Sequence, residues 1–191
     1  MKKILIILMF ITPVFCSAQE YSEVVQIPGK TADQSYTIAR EWYAITFKSA
    51  QDVIQMEDPV KKEIIGKGYS IIDYKVKKIP ASLNMYFTLK TLFKDNRYKY
   101  SITVGYLKTN VSKPFSYAEL KSMTTFEGVT EYYKAMKINV MTSKRMKQNV
   151  ADQDKILISL IDERLQSLVD DLTANLKNEI ERNPRKQRRN M

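Results

Sequence analysis

Few residues of this 191-residue chain are able to perform acid–base or nucleophilic chemistry. The chain has no His and a single Cys, Cys16. Catalysis by a His base, by a Cys–His pair or at a His-ligated metal is therefore excluded. The remaining candidates are carboxylates, Tyr, Lys and Ser, and their spacing decides whether any of them can act together.

Adjacent carboxylates are the first candidates for acid–base work, and they occur as Glu57-Asp58, Asp162-Glu163 and Asp170-Asp171. Neighbouring residues of a helix point in different directions, so we expect the last two pairs, in a predicted C-terminal helix, to be solvated. The first pair precedes Pro59 and is expected to begin a turn. No spacing favours a hydrolase with two acting carboxylates, although an enzyme based on carboxylate, Tyr or Lys stays an open alternative.

The other catalytic motifs are incomplete. Ser112-Lys113 and Ser143-Lys144 are adjacent pairs rather than Ser-x-x-Lys, and the chain contains no Gly-x-Ser-x-Gly. Gly66-Lys67-Gly68 lacks the spacing of a phosphate-binding loop and falls in a predicted strand, where Gly more often marks a bulge or a close backbone approach. The sequence therefore predicts no catalytic, cofactor-binding or metal-ligating residues, and we expect a protein that is not an enzyme.

The first eighteen residues have the pattern of a secretory signal peptide. Lys2 and Lys3 precede an apolar run from Ile4 to Ile11, and small residues end at Ala18. We expect cleavage between Ala18 and Gln19 and export to the periplasm or the medium. A retained anchor is disfavoured because the apolar run is short, and lipidation of Cys16 because the bulky Phe15 precedes it. The mature chain would then contain no Cys and no disulfide.

The charge is concentrated at the C-terminus. The chain has 31 basic and 21 acidic residues, a net charge of +10, and residues 182–191 hold five of the basic and none of the acidic ones. With 44% hydrophobic residues the remainder is typical of one globular domain. We therefore predict a domain over 19–182 followed by a flexible basic tail, 183–191, in which Pro184 interrupts the last helix.

The patterns in the mature chain predict a strand, a helix, four strands and a long helix. The strands are expected at 21–27, 53–56, 63–74, 82–93 and 98–108, and the helices at 31–47 and 151–182. Thr31 and Gln34 form a capping box before an aromatic stripe that includes Trp42, which we expect to be buried against the sheet. Asp95-Asn96 fits a two-residue hairpin.

The strand alternation predicts a sheet that is buried on one side only. In the last strand, Tyr98, Tyr100, Ile102, Val104 and Tyr106 are expected to share the buried face. The wetter face is expected to carry a candidate contact surface, formed by Tyr86, Thr88, Lys90, Lys99, Ser101 and Thr103.

The second half of the chain consists of one region without a clear period and one long helix. Residues 109–149 show no clear period and are predicted to contain either a short helix around 129–137 or a functional flap. In the long helix an apolar stripe runs from Ile156 to Leu176, and Asp152 and Asp154 are expected near the positive N-terminal end of the helix.

Three segments resemble a family of exported bacterial domains of unknown function with a TATA-box-binding-protein-like (TBP-like) fold. They are VVQIPGKT (24–31), AREWYAITFKSAQDVIQMED (39–58) and EIIGKG (63–68). The resemblance covers about residues 20–110 and implies an α+β fold, a curved antiparallel sheet of about five strands with two helices on its convex face. It implies no activity and no site residues.

The composition and the fold together favour a non-enzymatic binding or structural module of the bacterial cell envelope. We expect its open sheet face and residues 109–149 to contact a protein, peptide or glycan. The wet face is only mildly basic and an exported protein rarely meets chromosomal DNA, so nucleic acid is not favoured. A further alternative is attachment of the tail to anionic surfaces such as phospholipid or lipopolysaccharide, through Arg185, Lys186, Arg188 and Arg189.

Overall fold

Ten elements follow one another in the computed structural model, which describes residues 20–47, 53–76, 78–110, 112–137 and 143–182 and, for 178–182, the backbone alone. The predicted signal peptide with its cleavage site at Ala18–Gln19 and the predicted tail 183–191 lie outside these residues. The elements are β1 (Glu20–Gln26), α1 (Ala32–Thr46), β2 (Ile54–Asp58), β3 (Glu63–Val76), β4 (Ile79–Lys94), β5 (Arg97–Lys108), β6 (Phe115–Ser116), α2 (Tyr117–Ser122), α3 (Phe126–Ala135) and α4 (Lys144–Arg182).

The strands form one antiparallel sheet in the order β1-β5-β4-β3-β2, and β6 pairs with the end of β5. The predicted α+β fold, an antiparallel sheet of about five strands with helices on one face, is confirmed. The hairpin between β4 and β5 turns at Asp95-Asn96 as expected, and Asn96 adopts a positive φ of 62°.

Helix α1 begins where the capping box predicts. The Thr31 hydroxyl accepts a hydrogen bond from the Gln34 backbone N–H, and the Gln34 side chain accepts one from the Thr31 N–H. Trp42 is buried, as predicted, but its indole N–H points to helix α4 and donates to Asp171 Oδ2 over 2.6 Å. Trp42 therefore joins the two long helices to each other.

Helices α1, α2 and α4 lie on the same face of the sheet, which we call the helix face. In β4 every second residue from Leu83 to Phe93 is buried beneath them, while the residues in between are half-buried or exposed. The opposite face, which we call the open face, carries no described helix. This arrangement explains the alternation of buried and more accessible positions in β4.

Close packing of α1 on β3 explains the two glycines of Gly66-Lys67-Gly68. A Cβ atom on Gly66 would lie 2.5 Å from a ring carbon of Tyr43, and one on Gly68 would lie 2.8 Å from a ring carbon of Phe47. Both glycines thus make room for aromatic rings, that of Tyr43 in α1 and that of Phe47 directly after the helix. The structural interpretation of this motif is supported by the geometry, and the motif lies inside a strand.

Helix α4 is tied to its neighbours by polar side chains spaced along its length. Asp162 accepts a hydrogen bond from Tyr21 (2.6 Å), and Thr173 shares one with Tyr98 (2.7 Å). Together with Asp171, which binds Trp42, these contacts correct the prediction that the pairs at 162–163 and 170–171 are simply solvated. One carboxylate of each pair binds an aromatic residue that is 129 or 141 positions away in the chain.

The start of α4 also differs from the prediction. The helix begins at Lys144 rather than near Ala151, so Asp152 and Asp154 lie more than two turns inside it and outside the reach of the N-terminal dipole. Ile156, predicted to belong to the apolar stripe, is 60% exposed, whereas Leu157 and Ile161 are buried. The stripe therefore begins one residue later.

Residues 109–149 contain short secondary structure where the structure describes them. β6, α2 and α3 occupy 115–135, and Tyr117, Leu120 and Val129 are buried. Helices α2 and α3 pack against α4. Of the two alternatives, the helical one holds for the described part, with α3 starting three residues before the expected position.

The acidic pair at 57–58 lies at the end of β2 rather than in a turn. Glu57 pairs with Arg40 of α1 over 2.9 Å, and Asp58 accepts hydrogen bonds from the backbone N–H groups of Val60 and Lys61. Only Asp58 therefore contributes to the turn that follows.

None of the helices described is long and apolar enough to span a membrane.

We expect Gly66→Ala to destabilise the fold by about 1–3 kcal/mol, because the added methyl group would overlap the fully buried ring of Tyr43. Gly105→Ala is the matched control, since a Cβ atom there has its nearest contact at 3.4 Å and the residue is exposed. Its effect should stay within about 0.5 kcal/mol. Urea titration of both variants measures the difference; equal stabilities would mean that α1 does not press on β3.

Candidate functional site

The six residues of the predicted contact surface lie together on the open face. Thr88 pairs with Thr103 and Lys90 with Ser101 across β4 and β5, and Lys99 lies opposite Leu92. Tyr86 lies two residues before Thr88 in β4 and therefore on the same face. The surface is therefore contiguous.

A β-bulge in β5 changes which residues reach this surface. Phe87 pairs with Val104, but Met85 pairs with Leu107, so that Gly105 and Tyr106 together lie opposite Tyr86. The extra residue reverses the alternation from this point on. Tyr106, predicted on the buried face, is consequently 44% exposed on the open face, and Leu107 takes the buried position.

The bulge completes a row of three tyrosines across β5, β4 and β3, which we call the tyrosine ladder: Tyr106, Tyr86 and Tyr69. The rings of Tyr106 and Tyr86 are stacked, with centroids 4.2 Å apart and planes 17° apart. Tyr86 and Tyr69 are tilted, with centroids 5.7 Å apart. Tyr69 is 58% exposed. Tyr106 is also exposed and Tyr86 is half-buried, so the ladder offers aromatic surface along three strands.

Lysine side chains share the open face with the tyrosine ladder. Partial desolvation, with a smaller effect of Tyr86, raises the pKa of Tyr106, so the phenol stays neutral at physiological pH. Lys90 forms an ion pair with Glu63 over 3.1 Å. Lys67 and Lys99 lie on the same face, and no described carboxylate pairs with either.

A cleft of about 590 Å³ opens beside the ladder, and we call it the edge cleft. It lies beside the N-terminal end of β2, because β2 pairs with β3 only from Glu63 to Gly66. Phe47 and Val53 form its apolar wall, and Tyr69 and Tyr86 also line it. Arg164 of α4 reaches the cleft while its Nε–H donates to the buried Ser70 Oγ over 2.6 Å.

A second cleft, of about 520 Å³, lies between α1 and β2. Its two carboxylates are Glu41 and Glu57, and the guanidinium of Arg40 binds both oxygens of Glu57. An ion-paired carboxylate is poorly suited to act as a general base. The cleft thus offers no acid–base pair from the residues described.

Tyr21, Tyr117 and Asp162 form a polar cluster in which each side chain contacts the other two. Tyr21 Oη lies 2.9 Å from Tyr117 Oη and donates to Asp162 Oδ1. Burial, followed by the hydrogen bonds to Asp162 and Tyr117, raises the pKa of Tyr21 far above its ordinary value. A tyrosine that resists ionisation is a weak nucleophile and a poor base. The cluster therefore tethers β1 and α2 to α4.

Asp154 is the carboxylate with an unusual protonation equilibrium. Burial raises its pKa from 3.8 to about 7, and its Oδ2 has no hydrogen-bond partner. Tyr74 of β3 and Tyr133 of α3 are near enough for its charge to contribute to their own raised pKa values. Neither large cleft is lined by Asp154. The group is a local source of instability rather than part of a site.

No group of three or more carboxylate or Cys side chains that could hold a metal ion occurs among the residues described. The sequence interpretation missed Tyr69, Tyr106 and Arg164. The alternation of Lys67, Tyr69 and Ile71 along β3 could have placed Tyr69 on the open face. The bulge and the approach of Arg164 carry no comparable signal.

The comparisons with known proteins agree with this architecture. Residues 21–104 match the family model described as a domain of unknown function (DUF4468) with TBP-like fold. The resemblance expected from the residues is confirmed, and this part of the chain has the TBP-like fold of that family. No curated protein matches the chain.

Among the solved structures that are similar to the chain are two bacterial proteins. A TBP-like protein from Parabacteroides distasonis ATCC 8503 is 11% identical, with a TM-score of 0.52 over 83% of this chain and 92% of that one. A DUF4468 family protein from Bacteroides ovatus ATCC 8483 is 14% identical, with a TM-score of 0.45 over 75% of this chain and 83% of that one. At 11% identity, the first likeness shows the fold alone.

We expect Asp154→Asn to stabilise the protein increasingly as pH rises from 5 to 8. A carboxyl group whose pKa is raised on folding favours the folded state when protonated, and this advantage is lost between the unfolded pKa, near 4, and about 7. Allowing for the partial exposure of Asp154, the gain at pH 8 should be about 1–2 kcal/mol. The exposed Asp152, changed to Asn, is the control, and chemical denaturation at several pH values is the measurement. A gain that does not vary with pH would contradict the raised pKa.

Proposed function

We propose that the protein is a non-enzymatic binding module of the bacterial cell envelope and that its open face contacts a protein, peptide or glycan. The tyrosine ladder is the observation that carries this proposal. Exposed aromatic residues grouped on one face of a soluble domain are costly to solvate and commonly mark interaction surfaces. Tyr gives a large and rigid contact area with a polar tip at low entropic cost.

The form of the ladder supports binding more than catalysis. Neither the edge cleft nor the cleft between α1 and β2 brings together two unpaired carboxylates from the described residues, and Lys67 has no hydrogen bond to Tyr69 or Tyr86 among the described contacts. A Lys–Tyr acid–base pair would need such a bond. The ladder is therefore better suited to contact than to proton transfer.

The open face also differs from a surface that binds a DNA minor groove. Minor-groove proteins of this general shape insert apolar wedges such as Phe between bases. Phe87 and Phe93, the two phenylalanines of β4, are 3% and 1% exposed and point to the helix face. These observations support a partner other than nucleic acid.

The envelope location is the part of the proposal that rests on the leader sequence. Mass spectrometry of the protein purified from its native cells should find Gln19 as the first residue, as such or cyclised to pyroglutamate. An intact Met1 or a lipid on Cys16 would contradict export by a cleaved signal peptide. Attachment through Arg185, Lys186, Arg188 and Arg189 stays a prediction, since these residues lie outside those described.

The binding role is tested with the double variant Tyr86→Ser and Tyr106→Ser. The full mature chain is assayed against an array of bacterial glycans and a displayed peptide library, and we expect the variant to lose at least tenfold in affinity for any ligand found. The matched control is Ile45→Ser, which removes an apolar side chain that is 78% exposed on α1. Binding that survives the double change, or turnover of an array component, would overturn the proposal.

A further inference from the structure

Beyond Gly66, the outer edge of β3 has no partner strand among the described residues. β2 covers only Glu63–Gly66, while β3 continues to Val76. On the inner side, β3 pairs with β4 without any irregularity from Glu63 to Val76. Within the described part of the chain, this free edge is ten residues long, long enough for a whole additional strand of ordinary length.

The register shows which backbone groups point outward from this edge. Phe93 N donates to Lys62 O, so this pair is hydrogen-bonded. In an antiparallel ladder hydrogen-bonded pairs recur at every second residue. The even-numbered residues of β3 thus bond to β4, and the odd-numbered ones direct their N–H and C=O groups outward. These are Lys67, Tyr69, Ile71, Asp73 and Lys75.

The side chains at the centre of the edge are apolar. Tyr69 and Ile71 are 58% and 55% exposed. Natural sheets usually protect a free edge with charges, bulges or a very short strand. Here Lys67, Asp73 and Lys75 stand only at its two ends, and the centre is uninterrupted. This is the arrangement that an incoming strand requires.

The edge cleft offers pockets for the side chains of an added strand. It lies along the first half of the free edge, and its walls combine the apolar Phe47 and Val53 with Arg164. Ser70 fixes the Nε–H side of the guanidinium, and no described carboxylate forms an ion pair with Arg164. The remaining N–H groups can bind a carboxylate in a bidentate manner.

We propose that the free edge of β3 binds an extended segment of another polypeptide as an additional strand. One set of alternate side chains would enter the edge cleft, with an apolar residue against Phe47 and an acidic group at Arg164. The other set would lie beside Tyr69 on the open face. This inference rests on the proposed function and names its ligand class: a peptide of alternating apolar residues with at least one carboxylate.

A second copy of this chain is a poor occupant of the same edge. The longest antiparallel self-pairing is centred on Ile71, and it would place Lys67 of each copy opposite Lys75 of the other. Like charges directly opposite each other destabilise a strand pair. A foreign segment with acidic residues at these positions meets the edge with complementary charge.

A glycan does not match the edge as well as a peptide does. The outward N–H and C=O groups repeat about every 6.6–6.8 Å, two residues of a strand, which is the repeat of another polypeptide backbone. Main-chain hydrogen bonds then supply affinity independent of sequence, and the cleft selects the side chains.

Ile71→Pro provides the sharpest test. Proline removes the outward N–H of Ile71 and obstructs strand addition, while the bonds from β3 to β4 remain because they come from even-numbered residues. Ile71→Ala is the matched control, since it shortens the same side chain but keeps the N–H. Thermal unfolding of each variant verifies that it is folded.

The probe is a displayed library of twelve-residue peptides selected on the full mature chain, followed by the best peptide made synthetically. We expect Ile71→Pro to weaken its binding at least tenfold and Ile71→Ala less than threefold. Arg164→Gln should weaken an acidic peptide and leave its amide analogue unaffected. Methylation of alternate backbone nitrogens of the peptide should abolish binding to the unchanged protein, which keeps the test valid even if the proline variant unfolds.

The outcomes separate this inference from the proposed function. Binding of the selected peptide could be unaffected by Ile71→Pro and by backbone methylation but abolished by Tyr86→Ser with Tyr106→Ser. Strand addition would then be wrong, and the open face would still be a binding surface. If only glycans bind, strand addition is equally wrong. If neither glycans nor peptides bind, both proposals fail. Slower hydrogen exchange at the Tyr69 and Ile71 amides on peptide addition would support the edge directly.

Discussion

The covering of one face of the sheet by α1 and α4 is the constraint on which the rest of the structure depends. Trp42 joins these helices through a 2.6 Å hydrogen bond to Asp171, and its ring meets Tyr43 and Phe47 edge-on. The same two rings press on β3 so closely that only glycine fits at positions 66 and 68. The aromatic stripe of α1 therefore determines both the distance between the layers and the sequence of the strand beneath it.

Once one face is covered, the side chains of each strand point alternately to the core and to the open face. The bulge opposite Tyr86 is the point in β5 where this assignment changes, and it transfers Tyr106 from the core face to the ladder. Bulges commonly redirect a side chain next to a functional surface. The surface proposed for binding is thus a local departure from the pattern that builds the core.

The elements could be predicted from the sequence where the signal is local. Alternation located the long strands, and the side chains of Thr31 and Asn96 marked a helix start and a hairpin. The bulge was missed because Tyr106 continues the alternation of Tyr98 and Tyr100 without interruption. The roles of Asp162 and Asp171 were missed because their partners lie more than 120 residues away, a distance over which sequence spacing carries no information. The early start of α4 was missed because residues 144–150 are mostly polar and lack an apolar period.

β3 connects the helix layer to both proposed binding surfaces. Its even-numbered residues, such as Ser70 and Ile72, face the helices, and its odd-numbered residues, such as Tyr69 and Ile71, face the open side. The side chain of Arg164 extends from α4 to the edge of the sheet, since it is hydrogen-bonded to Ser70 and lines the edge cleft. The position of α4, set in part by Trp42 and Asp171, therefore determines where the guanidinium lies in the cleft. Changes in the α1–α4 contact should then alter the specificity of the edge without altering any residue exposed on it.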